Sequence, residues 1–255
     1  MRAALIALLG VALGTLPGGS ATFAAEDDGS CAVAQHLVHA DFALPQVATA
    51  IHEQHLEIAV VGSGSSTLGG PNGQSKAYPA KLEAALARKL PNVAVKVVTY
   101  IKSRQTAADM VKDFEHILAE TKPALVIWQT GTADAMRGVD PDEFRAALEQ
   151  GVEMLRAKHS DVLFMNMQYS PRTESVIAGG NYADVMRFVA LQHEVLLFDR
   201  FAVMRHWSEM GTFDLLAATK NTDTAEHVHD CLGRLLGDLI LEAAKMTETS
   251  RKEAH

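Results

Sequence analysis

Five short apolar runs, rich in β-branched residues, recur along the chain, and each is separated from the next by a segment of helical periodicity. They occupy residues 56–62 (LEIAVVG), 93–100 (VAVKVVTY), 124–131 (ALVIWQTG), 161–168 (DVLFMNMQ) and 194–200 (EVLLFDR). Strands that are apolar on both faces need cover on both faces, which means a parallel sheet flanked by helices. Between them, Met110, Val111, Phe114, Ile117 and Leu118 recur on one helical face, as do Phe144, Leu148, Val152 and Leu155. Asp140 followed by Pro141 and two acids is a helix start. The expected fold class is α/β: a single three-layer, doubly wound (flavodoxin-like) domain with a five-stranded parallel sheet and right-handed crossovers. Ligands of such sheets bind beyond the carboxyl ends of the strands. That rule selects the loops 63–70, 101–105, 132–138 and 169–180, and the segment after Phe201.

The ends of the chain read differently. Residues 1–24 have one early arginine, an apolar run from Ala3 to Leu16 and small residues up to Ala24, the pattern of a secretory signal. Pro17-Gly18-Gly19 ends the run short of the roughly 20 apolar residues that span a bilayer. No later segment is apolar enough to span. Residues 25–55 then form an N-terminal arm, 56–246 the α/β domain and 247–255 a polar tail. An exported location, periplasmic or secreted, follows. In an exported chain the two cysteines, Cys31 and Cys231, read as one disulfide between the arm and the last helix. Closing a loop of that length stabilises by about 4–5 kcal/mol; two free thiols are the alternative. The net charge of −8, with no basic run, gives no sign of a nucleic-acid or anionic-membrane partner. His36, His39, His52 and His55 have helix-like spacing but no accompanying Cys/His cluster, so no metal is expected. No cofactor is expected either, and the oligomeric state stays open.

The first of the selected loops lies in IAVVGSGSSTLGG, residues 58–70. It lacks the GxxxxGK[ST] of a phosphate loop. It also lacks the third glycine and the distal acid of a dinucleotide fingerprint. Its Ser65-Ser66-Thr67 resembles the first motif of the SGNH/GDSL hydrolases, in which a serine stands two residues before a threonine. YPAKLEAAL resembles the helix after that motif, KPALVIWQTGTADAMRG the third strand and its loop, and MNMQYSP the fourth. LFDRFAVMRHW looks like a segment typical of an exported bacterial branch of the family. The resemblance implies a serine hydrolase with Ser65 as nucleophile. It also implies a histidine base oriented by a carboxylate, and an oxyanion site built from amides and an asparagine.

The catalytic motifs are degenerate. The glycine position after the second strand falls on Ser103 or Arg104, which keeps a backbone donor and adds an arginine. Ala133 takes the place of the asparagine, a loss worth about 10²–10³ in turnover; Thr132 or Asp134 could lie nearby. The D-x-x-H element falls on Lys220 to Asp223 and contains neither family residue. Of the two histidines that follow, His229 lies about 60° from the buried face of the last helix and His227 well over 100°. His229 is therefore the candidate base, with Asp223, Glu226 or Asp230 as candidate orienting acids. Tyr169, Ser170 and Arg172 could line a pocket, and His206 could lie near its mouth. Two functions remain open. One is an exported esterase acting on an acyl or acetyl ester of a small molecule, glycan or lipid. The other is a catalytically impaired protein of the same fold with a binding or structural role in the cell envelope.

Overall fold

A computed structural model describes residues 31–175, 177, 179–216 and 222–253. The expected signal segment, residues 1–24, lies outside the described residues, as does Lys220. The elements run α1 (Pro45–His52), β1 (His55–Gly62), a 3-10 turn at Gly64–Ser66, α2 (Gly73–Lys76), α3 (Tyr78–Lys89) and β2 (Ala94–Ile101). Then come α4 (Ala107–Val111), α5 (Phe114–Thr121), β3 (Leu125–Gln129), α6 (Thr132–Arg137), α7 (Pro141–Ala157) and β4 (Asp161–Met165). The last are α8 (Pro171–Glu174), α9 (Gly179–Gln192), β5 (Leu196–Phe198), α10 (Arg200–Glu209) and α11 (Thr222–Glu253).

The strands form one parallel sheet in the order β2-β1-β3-β4-β5. The chain winds outward from β1 in both directions, so its switch point lies between β1 and β3. Helices α1, α3 and α11 pack together on one side, and α4, α5, α7 and α9 on the other. The three-layer fold matches the apolar runs. β3 and β4 are buried at every position because both faces are covered.

Three strands end earlier than their apolar runs, each for a local reason. Gly131, at φ +96°, turns the chain out of β3 and precedes α6. Asp199 caps α10 by accepting the Ala202 amide at 2.9 Å, which ends β5 at Phe198. After β4, buried Asn166 accepts the Phe201 amide at 2.8 Å and ties the loop to α10. At α7, Asp140 accepts the Asp142 amide at 2.8 Å and Pro141 takes the first turn. Gly151 in the middle of that helix costs about 1 kcal/mol against alanine. A Cβ there would lie 2.4 Å from Trp128, so the glycine makes room for the fully buried indole of β3.

The N-terminal arm is part of the packed body. Leu44 and Val47 are buried, and the Leu44 amide reaches the Ala243 carbonyl of α11 at 3.2 Å. The Cys31–Cys231 disulfide is present, with Cα atoms 5.2 Å apart, so the alternative of free thiols does not apply. The segment expected as a polar tail continues α11 as helix to Glu253.

At the amino end of β4, the Asp161 carboxylate caps α1 from a distance, accepting the Gln46 and Val47 amides at 2.8 and 2.9 Å. Burial nevertheless pushes its carboxyl from 3.8 up to about 6. The folded state therefore holds this proton more tightly than the unfolded chain. The contribution to stability is fully present below pH ~3.8 and is lost as pH rises through ~6. Chemical denaturation at pH 4.5 and 7.5 should show Asp161→Asn removing about 2 kcal/mol of the difference between the two pH values. An unchanged difference would refute the raised carboxyl.

Candidate active site

Ser65 lies in the 3-10 turn directly after β1, at the switch point of the sheet. The turn is drawn tight against the strand. Gly62 has no room for a side chain, because a Cβ would stand 2.4 Å from the Ser66 hydroxyl. Gln129, the last residue of apolar β3, organises the turn from below. Its Oε1 accepts the Ser63 amide at 2.9 Å and the Ser63 and Ser66 hydroxyls at 3.0 Å each. The Ser63 amide requires an acceptor and so fixes the orientation of the carboxamide. The Ser65 hydroxyl reaches the same oxygen at 3.3 Å. Ser63 and Ser66 are buried into this network, whereas Ser65 is half-exposed to the groove above.

Under Ser65 lies Arg200, the first residue of α10, only 1% exposed. Its Nη2 donates to the Ser65 hydroxyl at 3.1 Å and its Nη1 to the Ser65 carbonyl at 3.2 Å, while Nε is buried without a partner. No carboxylate pairs with it among the described residues. Burial lowers its guanidinium to about 10, which leaves it charged at neutral pH. A fixed cation thus stands against the hydroxyl that the first motif singles out.

His229 lines the same groove from α11. Its Nδ1 accepts the Tyr78 amide at 2.9 Å. The neutral ring therefore carries its proton on Nε2, which has no protein partner among the described residues. Burial, then the charges of Arg200 and Lys81, push the imidazole down to about 3. As placed, the ring offers a donor and is not set up to take a proton from Ser65. The acids considered as its orienters are engaged elsewhere or exposed. Glu226 pairs with Lys76 and Lys81 at 2.8 and 3.2 Å, Asp230 pairs with Arg234 at 3.0 Å, and Asp223 is exposed at the start of α11.

Two hollows, of about 340 and 360 Å³, meet over Gly64, Ser65 and Gln168 and form one groove. The first brings Ser65 together with His229, Tyr169, Ser170 and Arg172. The second brings it together with Ser103, Arg104, Thr132 and Ala133. Arg104 adopts the left-handed conformation, φ +65°, in the loop where the family glycine position falls on Ser103 or Arg104. Thr132 has its hydroxyl buried without a partner among the described residues. Asp134 is turned away from the groove: 1% exposed, it accepts the Ala107 amide at 3.0 and 3.2 Å and caps α4. The structure thus gives Asp134 a helix-capping contact in place of the expected one near the oxyanion. His206, half-buried on α10, lines neither hollow. A larger hollow of about 440 Å³ lies at the opposite ends of β4 and β5, near Asp161. Cys31, His227 and Cys231 are close enough to share a metal, but their sulfurs are spent on the disulfide.

Sequence reasoning missed Arg200 and Gln129 as site residues. Each stood out as a polar residue at the carboxyl end of an apolar run, the place where a parallel sheet presents ligands.

Fold and site together define a doubly wound α/β protein with a serine-bearing turn at its switch point. The chain belongs to the non-GDSL lipase-like family, whose model matches residues 30–246. A comparison with curated proteins finds no match. Solved structures share the fold. The crystal structure of TesA is 24% identical, covering 72% of this chain and 99% of that one at a TM-score of 0.58. A catalytic mutant of Axe2, an acetylxylan esterase from Geobacillus stearothermophilus, is 18% identical, covering 72% and 94% at 0.59. An alpha/beta hydrolase enzyme from the metagenome of Lake Arreo, Spain, is 19% identical, covering 75% and 96% at 0.56. Among the described residues, no helix is long and apolar enough to cross a membrane.

Proposed function

We propose that the protein is an exported ester hydrolase with Ser65 as nucleophile, acting on an acyl or acetyl ester of a carbohydrate or lipid. The observation that carries this reading is the Ser65 hydroxyl, 3.1 Å from the buried guanidinium of Arg200 in the floor of an open groove. A fixed cation beside a hydroxyl favours its ionised form. It also favours negative charge developing on a bound carbonyl. The internal disulfide fits an oxidising compartment.

The histidine acts differently here from the base of a Ser-His-Asp triad. Ser65 gives its proton to hydroxide from solvent, and its oxygen bonds to the ester carbonyl carbon. The oxyanion takes hydrogen bonds from the Ser65 and Arg104 amides, with Nε2–H of His229 as a further donor. Collapse breaks the ester bond, and the departing alkoxide takes a proton from water. A second water then hydrolyses the acyl-serine and releases the acid. Thr132 stands beside Ala133, where the family asparagine is missing.

The test is turnover of p-nitrophenyl acetate and labelling by a fluorophosphonate, for the parent, Ser65→Ala and His229→Ala. Ser65→Ala should abolish both. His229→Ala should cost about 10²–10³, the scale of one oxyanion donor. The rate of the parent should climb with pH above 7 and show no inflection at pH 6–7, where an unperturbed histidine titrates. A bell-shaped or sigmoid profile centred there would overturn the role given to His229. The second reading, a catalytically impaired binding or structural protein of the cell envelope, is favoured by the occupied Nδ1 of His229. Folded protein that neither turns over the ester nor takes the label would establish it over the first.

A further inference from the structure

The groove over Ser65 has a charge pattern that the rest of the chain does not share. The protein carries 31 acidic and 23 basic side chains, for a formal charge of −8. Yet the described residues lining the two joined hollows include Arg104, Arg137 and Arg172 and no aspartate or glutamate. The guanidinium of Arg200 adds a fourth positive charge beneath the floor, with no carboxylate partner among the described residues.

The acids nearby do not cancel this pattern. Asp134 is folded inward onto the Ala107 amide. Glu174 lines an adjoining hollow of about 30 Å³ that shares Thr132, Gln168 and Thr173 with the groove, and it sets one carboxylate against four guanidinium groups. Asp109 approaches Arg137 at 3.5 Å, and the same arginine donates through Nη2 to the Arg104 carbonyl at 2.7 Å. Arg137 is thereby held as a brace behind the loop. Among the described residues, the guanidinium groups of Arg104 and Arg172 have no ion-pair partner. Arg104 also stands in a backbone conformation that costs a non-glycine residue about 1 kcal/mol or more. The strain places an arginine where the fold would accept glycine at no cost.

We infer that the groove selects esters carrying a negatively charged group, a carboxylate or phosphate. The anion lies against Arg104 or Arg172, a short distance along the groove from the ester carbonyl at Ser65. This rests on the reading of Ser65 as nucleophile for the ester and on the arginines alone for the anion. Guanidinium matches either anion through paired N–H donors, and a groove of one sign of charge concentrates ligands of the other.

Two esters of matched length, p-nitrophenyl valerate and mono-p-nitrophenyl glutarate, separate charge from chain length. For the full-length mature protein in 20 mM salt, kcat/KM should favour the glutarate ester at least tenfold. The preference should shrink severalfold in 300 mM salt. It should also fall severalfold in Arg104→Gln or Arg172→Gln. Equal turnover of the two esters, or a preference indifferent to salt and to both substitutions, would overturn the inference.

If neither ester is turned over, the nucleophile reading fails and the anion site is judged by itself. Calorimetric titration of Ser65→Ala protein with glutarate should then give saturable binding that weakens with salt and is lost in Ser65→Ala/Arg104→Gln/Arg172→Gln. The absence of heat in Ser65→Ala would remove the anion site as well. Competition by inorganic phosphate against glutarate tells which anion the arginines prefer.

Discussion

Replacing Arg200 with methionine should lower the reactivity of Ser65 at least a hundredfold while leaving the protein as stable as the parent or more so. Few substitutions in an active site are expected to move the two quantities apart in this way. Arg200 is 1% exposed and, among the described residues, has an unpartnered Nε and no neighbouring carboxylate, so its charge is held at the cost of lost solvation. Its two hydrogen bonds to Ser65 offset part of that cost. Methionine fills a similar volume without the charge, and exchanges of this kind at buried ionic sites are often neutral or stabilising by about 1–4 kcal/mol. Losing a charged donor at the reacting oxygen should cost about 10²–10³ in rate. Fluorophosphonate labelling rates measure the first effect and urea denaturation the second. If Arg200→Met labelled as fast as the parent, Arg200 would be a packing residue and the proposed mechanism would lose its foundation.

Removing the disulfide should have the largest effect on stability. Cys31 and Cys231 are 200 residues apart in the chain, and Cys231 is fully buried. Loop entropy for a closure of that length is about 5 kcal/mol. In a domain of this size that corresponds to a fall in Tm of roughly 10–20 °C. The double variant Cys31→Ser/Cys231→Ser should show this by calorimetry, and the parent in strong reductant should match it. A fall of less than 3 °C would mean that the arm is held by its packing, through Leu44 and Val47, without help from the bond.

The sheet was legible because its inner strands are short runs apolar on both faces, alternating with helical patterns; β2, at the edge, is exposed or half-exposed throughout. The helix starts at Asp140 and the disulfide partners were equally plain, since capping and cysteine pairing are local or compositional signals. In the candidate site, the spacing of Ser65 to Thr67 and the loops beyond the strand ends gave Ser65, Arg104, Thr132, Tyr169, Ser170 and Arg172, which line one groove. Gln129 looked like the end of a strand because its role depends on a side chain reaching a turn more than sixty residues earlier. Arg200 looked like an ordinary strand terminus for the same reason. Periodicity put His229 near the buried face of α11, but the tautomer of the ring depends on the Tyr78 amide, 151 residues away. Asp134 lay in the right loop, and helical pattern alone says nothing about which neighbour a short acid will cap.

The placement of His229 on the last helix has a consequence for how the protein is made. Ser65 follows the first strand, while the ring that overlooks it arrives with α11 and is flanked two residues later by the cysteine that reaches back to the arm. A chain emerging from its amino end therefore completes the serine turn, and all five strands, before the groove has its far wall. Nascent and partly assembled forms carry the serine without the histidine and without the covalent tie. The last step of assembly both walls the groove and locks the helix that walls it.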